Sequence, residues 1–126
     1  MRILIVEDDE VLADSLIRAM VGVGYATDHA GDGERALSML LDGCYDLVIL
    51  DINLPRLDGF AVCRALKQDP ATRHIRVLAM TGYPTAANIE RIMDAGAEVC
   101  LEKPIDTVRL LELMQLNVAN EIFTSN

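Results

Sequence analysis

Four short apolar runs in this chain stop abruptly at a polar or charged residue. They are Ile3-Leu4-Ile5-Val6 before Glu7-Asp8-Asp9, Leu47-Val48-Ile49-Leu50 before Asp51, Val77-Leu78-Ala79-Met80 before Thr81-Gly82, and Val99-Cys100-Leu101 before Glu102-Lys103-Pro104. Runs this short, rich in branched side chains and apolar at consecutive positions, suit strands covered on both faces. That requirement leaves few architectures open, because covering both faces takes helices packed above and below one parallel sheet.

The intervening segments have the helical period. Between Glu10 and Val21, Leu12, Leu16 and Met20 recur every four residues beside Ala13 and Ile17; Asp9 can cap this helix, and Gly22 and Gly24 end it. A second strand is expected over 25–30, with an alternation suited to a less buried place. Ala36, Leu37, Leu40 and Leu41 mark a second helix closed by Gly43. Strand three is placed at 46–50, and a third helix opens at Asp58-Gly59 and stops at Asp69-Pro70. Strand four is placed at 75–80, and a fourth helix from Thr85 to Ala95 carries Ile89, Ile92 and Met93. Strand five follows at 97–101, then a fifth helix from Asp106 to Asn120. Five strand–helix units predict an α/β fold: a five-stranded parallel sheet, order 2-1-3-4-5, with five helices on both faces. One domain over 1–120 and a short C-terminal tail over 121–126 are expected.

In such sheets ligands bind beyond the carboxyl ends of the strands, where the strand order reverses. Glu7, Asp8, Asp51, Thr81 and Lys103 all fall at that edge. Three carboxylates there repel one another unless a cation intervenes. Lys103 is one candidate and Mg²⁺, a hard ion that takes oxygen ligands and keeps several waters, is another. A set without His or Cys disfavours zinc. Beside such an ion Asp51 can attack phosphorus as a nucleophile, with the cations neutralising the transferred oxygens and Thr81 supplying a hydroxyl. Each residue also has a plain reading: Asp51, Asp8 and Asp9 as caps, Lys103 as a surface lysine, Thr81 as a strand end.

Composition narrows the partners. The formal net charge is −9, with 52% apolar and 25% charged residues. An acidic surface argues against direct nucleic-acid binding, which needs clustered Lys and Arg. The three cysteines, Cys44, Cys63 and Cys100, form no close pair and are expected to be buried in a reducing compartment. With no signal peptide and no long apolar stretch, a cytoplasmic protein without membrane contact is expected.

The set Ile-Val-Glu-Asp-Asp, Leu-Asp-Ile-Asn-Leu-Pro with Asp58-Gly59 after it, Met-Thr-Gly and Glu-Lys-Pro resembles the receiver domain of two-component response regulators, over about residues 1 to 118. The resemblance implies a flavodoxin-like, doubly wound domain. It implies Asp51 as phosphoacceptor, taking its phosphoryl group from a sensor histidine kinase or a histidine phosphotransfer protein. It implies Mg²⁺ held by Glu7, Asp8, Asp51 and the backbone carbonyl of Asn53, with Asp9 farther off. Lys103 would pair with the phosphoryl oxygens, the Lys103-Pro104 bond would be cis, and Thr81 would move toward the phosphoryl group on activation.

Three positions depart from that pattern. Cys100 stands where an aromatic switch residue often sits, so the loop after Thr81 and helix four are expected to carry the signal. Tyr83 either flanks the phosphoryl site, with Asn53, or is an ordinary loop residue. Arg76 replaces a frequent proline, with no functional consequence expected. On the fifth helix Thr107, Leu110, Leu111, Met114 and Val118 form a core-facing arc, while Leu113 and Leu116 fall outside it. Those two are either ordinary surface leucines or part of a downstream-partner or homodimer surface shared by helix four, strand five and helix five. His29 and His74 are expected at surface or edge positions without catalytic roles. Output is expected through protein contacts. Two other functions are compatible with parts of this pattern: a degenerate, constitutive protein-binding module, against which the complete acidic site argues, and an aspartyl-phosphate phosphatase, which needs an acid where Asn53 stands.

Overall fold

The computed structural model describes residues 1–115. Its elements alternate without exception: β1 (Arg2–Val6), α1 (Glu10–Gly22), β2 (Ala26–Ala30), α2 (Gly33–Asp42), β3 (Leu47–Asp51), α3 (Gly59–Gln68), β4 (Arg76–Thr81), α4 (Ala86–Ala95), β5 (Val99–Glu102) and α5 (Thr107–Gln115). The strands form one parallel sheet in the order β2-β1-β3-β4-β5. The expected fold class is therefore what the chain adopts. The parts assigned to residues beyond 115 (Leu116, Val118, the end of the fifth helix and the tail over 121–126) lie outside the described residues.

Strand side chains alternate between two cores. Leu4, Val6, Val48, Leu50, Val77 and Ala79 face α2, α3 and α4 through Ala36, Leu40, Val62, Cys63, Leu66 and Ile92. Ile3, Ile5, Leu47, Ile49, Leu78 and Met80 face α1 and α5 through Leu16, Met20, Leu110 and Met114. Burial on both faces explains why β1, β3 and β4 read as unbroken apolar runs. The edge strand β2 is only partly covered, in keeping with its mixed sequence.

Local sequence sets the helix starts. The Asp9, Asp32, Asp58 and Thr85 side chains each accept backbone N–H groups of the first turn. Gly96 ends α4 at φ 117°, a left-handed conformation that glycine adopts without penalty.

Several expectations need correction. Asp51 and Thr81 are the last residues of β3 and β4 rather than the first beyond them. Cys44 is exposed and Cys100 half-buried; only Cys63 is in the core. Helix α4, a candidate part of a partner surface, buries Ile92 and Ala95 and leaves Ile89 and Met93 exposed. The α3–α4 packing already fills the inward arc with Ile92 and an Arg91–Phe60 cation–π contact. Arg76, for which no functional consequence is expected, has a structural role: it pairs with Glu98 at 2.8 Å and donates to the α5 carbonyls of Leu113 and Met114. Those bonds tie the start of β4 to the last described turn of α5.

Candidate functional site

Register alone brings the acids together. Val6 pairs with Leu50, so Glu7 and Asp51 are the next residues on neighbouring strands. Asp51 pairs with Met80, and the Lys103 N–H donates to the Thr81 carbonyl at 2.8 Å. Glu7, Asp51, Thr81 and Lys103 thus meet at the carboxyl edge of β1, β3, β4 and β5. One carboxylate oxygen each from Glu7, Asp8 and Asp51 lies within 4.8 Å of the others. Asp9 stands outside this trio, its carboxylate occupied by the N–H groups of Val11 and Leu12 at the head of α1.

Three of the site side chains are almost fully buried: Glu7 at 0%, Asp51 at 2% and Thr81 at 0% exposure. The Lys103 ammonium bridges the two buried acids, 2.5 Å from Oε1 of Glu7 and 3.0 Å from Oδ2 of Asp51. Its contact with Asp51 is a directed hydrogen bond. Its contact with Glu7 is an ion pair off the hydrogen-bonding direction, so Glu7 Oε1 is buried without a hydrogen-bond partner. The other Glu7 oxygen accepts the Asp9 N–H at 3.1 Å. Burial, and secondarily the nearby Asp51 carboxylate, raise the Glu7 pKa to about 7 against the pull of Lys103 and the Asp9 N–H. Burial alone would lower the Lys103 pKa, but its bonds to Glu7 and Asp51 outweigh that and raise it.

The remaining contacts order the loops. Asp51 Oδ1 accepts the Asn53 N–H at 2.9 Å. The Thr81 hydroxyl donates to Asn53 Oδ1 at 3.2 Å and accepts the Tyr83 N–H at 2.9 Å. The backbone of Tyr83 is thereby tied to the site, while its side chain is 68% exposed. The Lys103-Pro104 peptide is cis. Cys100 packs against the core on the α2, α3 and α4 side, its thiol pKa raised by burial.

The donor set fits a divalent ion. When all are ionised, three carboxylates facing one ammonium leave two negative charges uncompensated. Glu7 Oε1 accepts no hydrogen bond and has only its ion pair with Lys103 within that cluster. All donors are hard oxygens, the chemistry Mg²⁺ selects. An open groove of about 650 Å³ between α3 and α4 contains none of these residues; its Arg64, Lys67, Arg91, Glu90 and Asp94 carry mixed charge.

Two contributors were not foreseen from the sequence. A Cβ at Gly59 would meet Ile52 Cα at 2.5 Å and the Asp51 carbonyl oxygen at 2.6 Å. Only a residue without one lets α3 start directly against the Asp51 backbone, where the Gly59 N–H donates to the Ile52 carbonyl at 3.2 Å. The Asp58-Gly59 pair was legible as a helix start, but the close approach was not. His29, read as a remote edge residue, is on the edge strand, yet its ring Nε2 lies 2.8 Å from the Glu7 carbonyl oxygen. A gap of 22 residues hid that contact. No described helix is long and apolar enough to cross a membrane.

Comparison with known proteins agrees with this geometry. A family profile described as the response regulator receiver domain matches residues 3–115. The response regulator PleD of Caulobacter vibrioides is 39% identical over 109 residues, 86% of this chain and 24% of that protein. A receiver domain protein, CheY-like, from Methanospirillum hungatei superposes with a TM-score of 0.85 at 27% identity, covering 90% of each chain. A response regulator from Burkholderia pseudomallei, solved with a phosphorylated aspartic acid, a calcium ion and citrate, has a TM-score of 0.84 at 27% identity. That match covers 98% of this chain and 71% of the other. The chain spans a quarter to a half of the length of the curated relatives it matches, which include response regulator MprA of Mycobacterium avium.

Proposed function

The chain belongs to the response regulator receiver domain family, and on that premise we propose that it is a phosphorylation-switched signalling domain in which Asp51 accepts a phosphoryl group. The observation that carries the reading is the buried bridge of Lys103 between Glu7 and Asp51, beside Asp8 and Thr81. It is a costly arrangement for stability alone, because burying carboxylates in excess of cations is unfavourable.

Each residue has a role in this reading. Asp51 offers a carboxylate oxygen as nucleophile to a phosphoryl donor: a histidine kinase, a histidine phosphotransfer protein, or a small acyl phosphate. Glu7, Asp8, Asp51 and the Asn53 carbonyl would hold Mg²⁺. The ion, when bound, screens the carboxylates from the incoming phosphate and stabilises charge on the transferring oxygens. Lys103 is already in contact with Asp51 Oδ2, so a small movement keeps the ammonium on a phosphoryl oxygen. Thr81 can exchange its bond to Asn53 for one to the phosphoryl group, releasing the Tyr83 backbone it now holds. That exchange would transmit the event to the start of α4.

Cys100 cannot reproduce an aromatic swing, so the Thr81–Tyr83–α4 segment is the conducting element in this reading. Tyr83 flanks it and Pro104 sets the path of the chain after Lys103. Downstream contact is assigned to α4, β5 and α5, where Ile89, Met93 and Val108 are exposed, with a partner protein or a second copy as occupant. The domain assists its own phosphorylation and dephosphorylation and turns over no separate small-molecule substrate. Its proposed location is the cytoplasm.

Incubation with acetyl phosphate, with and without Mg²⁺, followed by intact mass tests this reading. The expected result is one added phosphoryl group on the wild type with Mg²⁺ and none on Asp51→Asn. Equal labelling of both proteins, or none of either, overturns it.

A further inference from the structure

We propose that His29 is a positioning residue of the acidic notch, donating its ring Nε2–H to the Glu7 carbonyl and so fixing the peptide that joins Glu7 to Asp8. The proposal rests on the reading that Glu7, Asp8 and Asp51 hold Mg²⁺. It concerns how two of those three acids are held in place.

The β1–β2 ladder sets up the contact. Its last paired residues are Val6 and Ala30, and one further bond runs from the Glu7 N–H to the Ala30 carbonyl at 3.1 Å. Past Ala30 the chain turns away through Gly31 into α2. The Glu7 carbonyl instead receives the His29 ring at 2.8 Å. A carbonyl oxygen can only accept, so the facing nitrogen must carry the hydrogen, which fixes the Nε2–H form of the ring. The ring is half-buried beside Ala13 and Ile17 of α1, in a cleft whose rim carries Glu10 and Asp14.

The consequence follows from peptide geometry. The Glu7 carbonyl and the Asp8 N–H belong to one planar unit. The Glu7 N–H belongs to the preceding unit, so its bond to Ala30 and the His29 bond to the Glu7 carbonyl hold the two peptide planes on either side of the Glu7 Cα, both from β2. Glu7 is fully buried while Asp8 is exposed, so Asp8 depends on the backbone to aim its carboxylate at the other two. Groups that orient the ligands of a metal typically change its affinity by ten- to a hundredfold.

The test is Mg²⁺ binding to the whole chain by calorimetry, with thermal melts of every protein. It compares wild type, His29→Leu, His29→Gln and Asp51→Asn. The expected result is roughly tenfold weaker binding for His29→Leu, with most of it recovered by His29→Gln, whose amide N–H can donate at similar reach. A purely structural role would lower melting temperatures and leave the affinity of the folded protein unchanged. Wild-type affinity in His29→Leu, or equal weakening in both His29 variants, overturns the proposal while leaving the metal reading intact. A wild type that takes up no Mg²⁺ overturns the metal reading and this proposal together. Should His29→Leu fail to fold, long-range nitrogen–proton spectra of the wild-type imidazole decide the matter. An Nε2–H ring supports the proposal and an Nδ1–H ring overturns it.

Discussion

Mg²⁺ affinity should fall steeply as the pH drops from near 8 to near 6, and the cause should be one residue. Glu7 is wholly buried, and desolvation raises its pKa to about 7. A cation needs the ionised carboxylate, so metal and proton compete for it. With a pKa of about 7, roughly a tenth of the Glu7 side chains are ionised at pH 6 and roughly nine-tenths at pH 8. The apparent dissociation constant should therefore be about tenfold weaker at pH 6, equivalent to about 1.4 kcal/mol.

The sign is opposite for the metal-free fold. A carboxyl whose pKa is raised on folding, here from 4.5 to about 7, binds its proton more tightly in the native state. Its contribution to stability is fully present below pH 4.5 and lost as pH rises through about 7. Calorimetry at both pH values, in buffers of different ionisation heat, would report affinity and proton release together. At pH 7 binding should release about half a proton. Glu7→Gln should bind more weakly but lose most of the pH dependence. A wild-type affinity that does not change between pH 6 and pH 8, or a Glu7→Gln variant with the full slope, would refute the reasoning.

Other perturbations have equally definite outcomes. Lys103→Gln strips the cation from two buried acids; the metal-free protein should lose roughly 2 kcal/mol in urea unfolding at pH 8, discounted for the partial exposure of Lys103, and less at pH 6, where Glu7 is protonated. Gly59→Ala puts a methyl 2.5 Å from Ile52 Cα and 2.6 Å from the Asp51 carbonyl oxygen; a cost of about 1–3 kcal/mol is expected, with slower labelling by acetyl phosphate. Asp9→Ala removes the cap of α1 and should cost about 1 kcal/mol, without altering Mg²⁺ affinity measured by calorimetry.

How much of this was legible in the chain depends on which interactions are local. The Asp9 cap and the Asp58-Gly59 helix start depend on residues two or three positions away and are legible, whereas Asp32, which caps α2 by the same kind of bond, reads only as a turn. The buried strands β1, β3 and β4 announced themselves because both faces are covered. The strand-end acids converged because a parallel register carries each run to the same edge. What could not be read depends on contacts distant in sequence. Arg76 reaches α5 carbonyls 37 and 38 residues away, and His29 reaches Glu7 across a strand pairing. The close approach of Gly59 to the Asp51 backbone requires knowing how α3 is seated. Cys44 was misplaced because burial was inferred from residue type, whereas its loop position leaves it exposed.

The central claim, that Asp51 becomes the acyl phosphate, is most directly tested by trapping the bond itself. After phosphorylation with Mg²⁺ present, borohydride reduction converts a phosphorylated aspartate to homoserine, and peptide mapping locates it. Homoserine at position 51, dependent on Mg²⁺, is the predicted result. Homoserine at Asp8 or Asp9, or a phosphoryl group resistant to reduction on a hydroxyl or imidazole side chain, would contradict it.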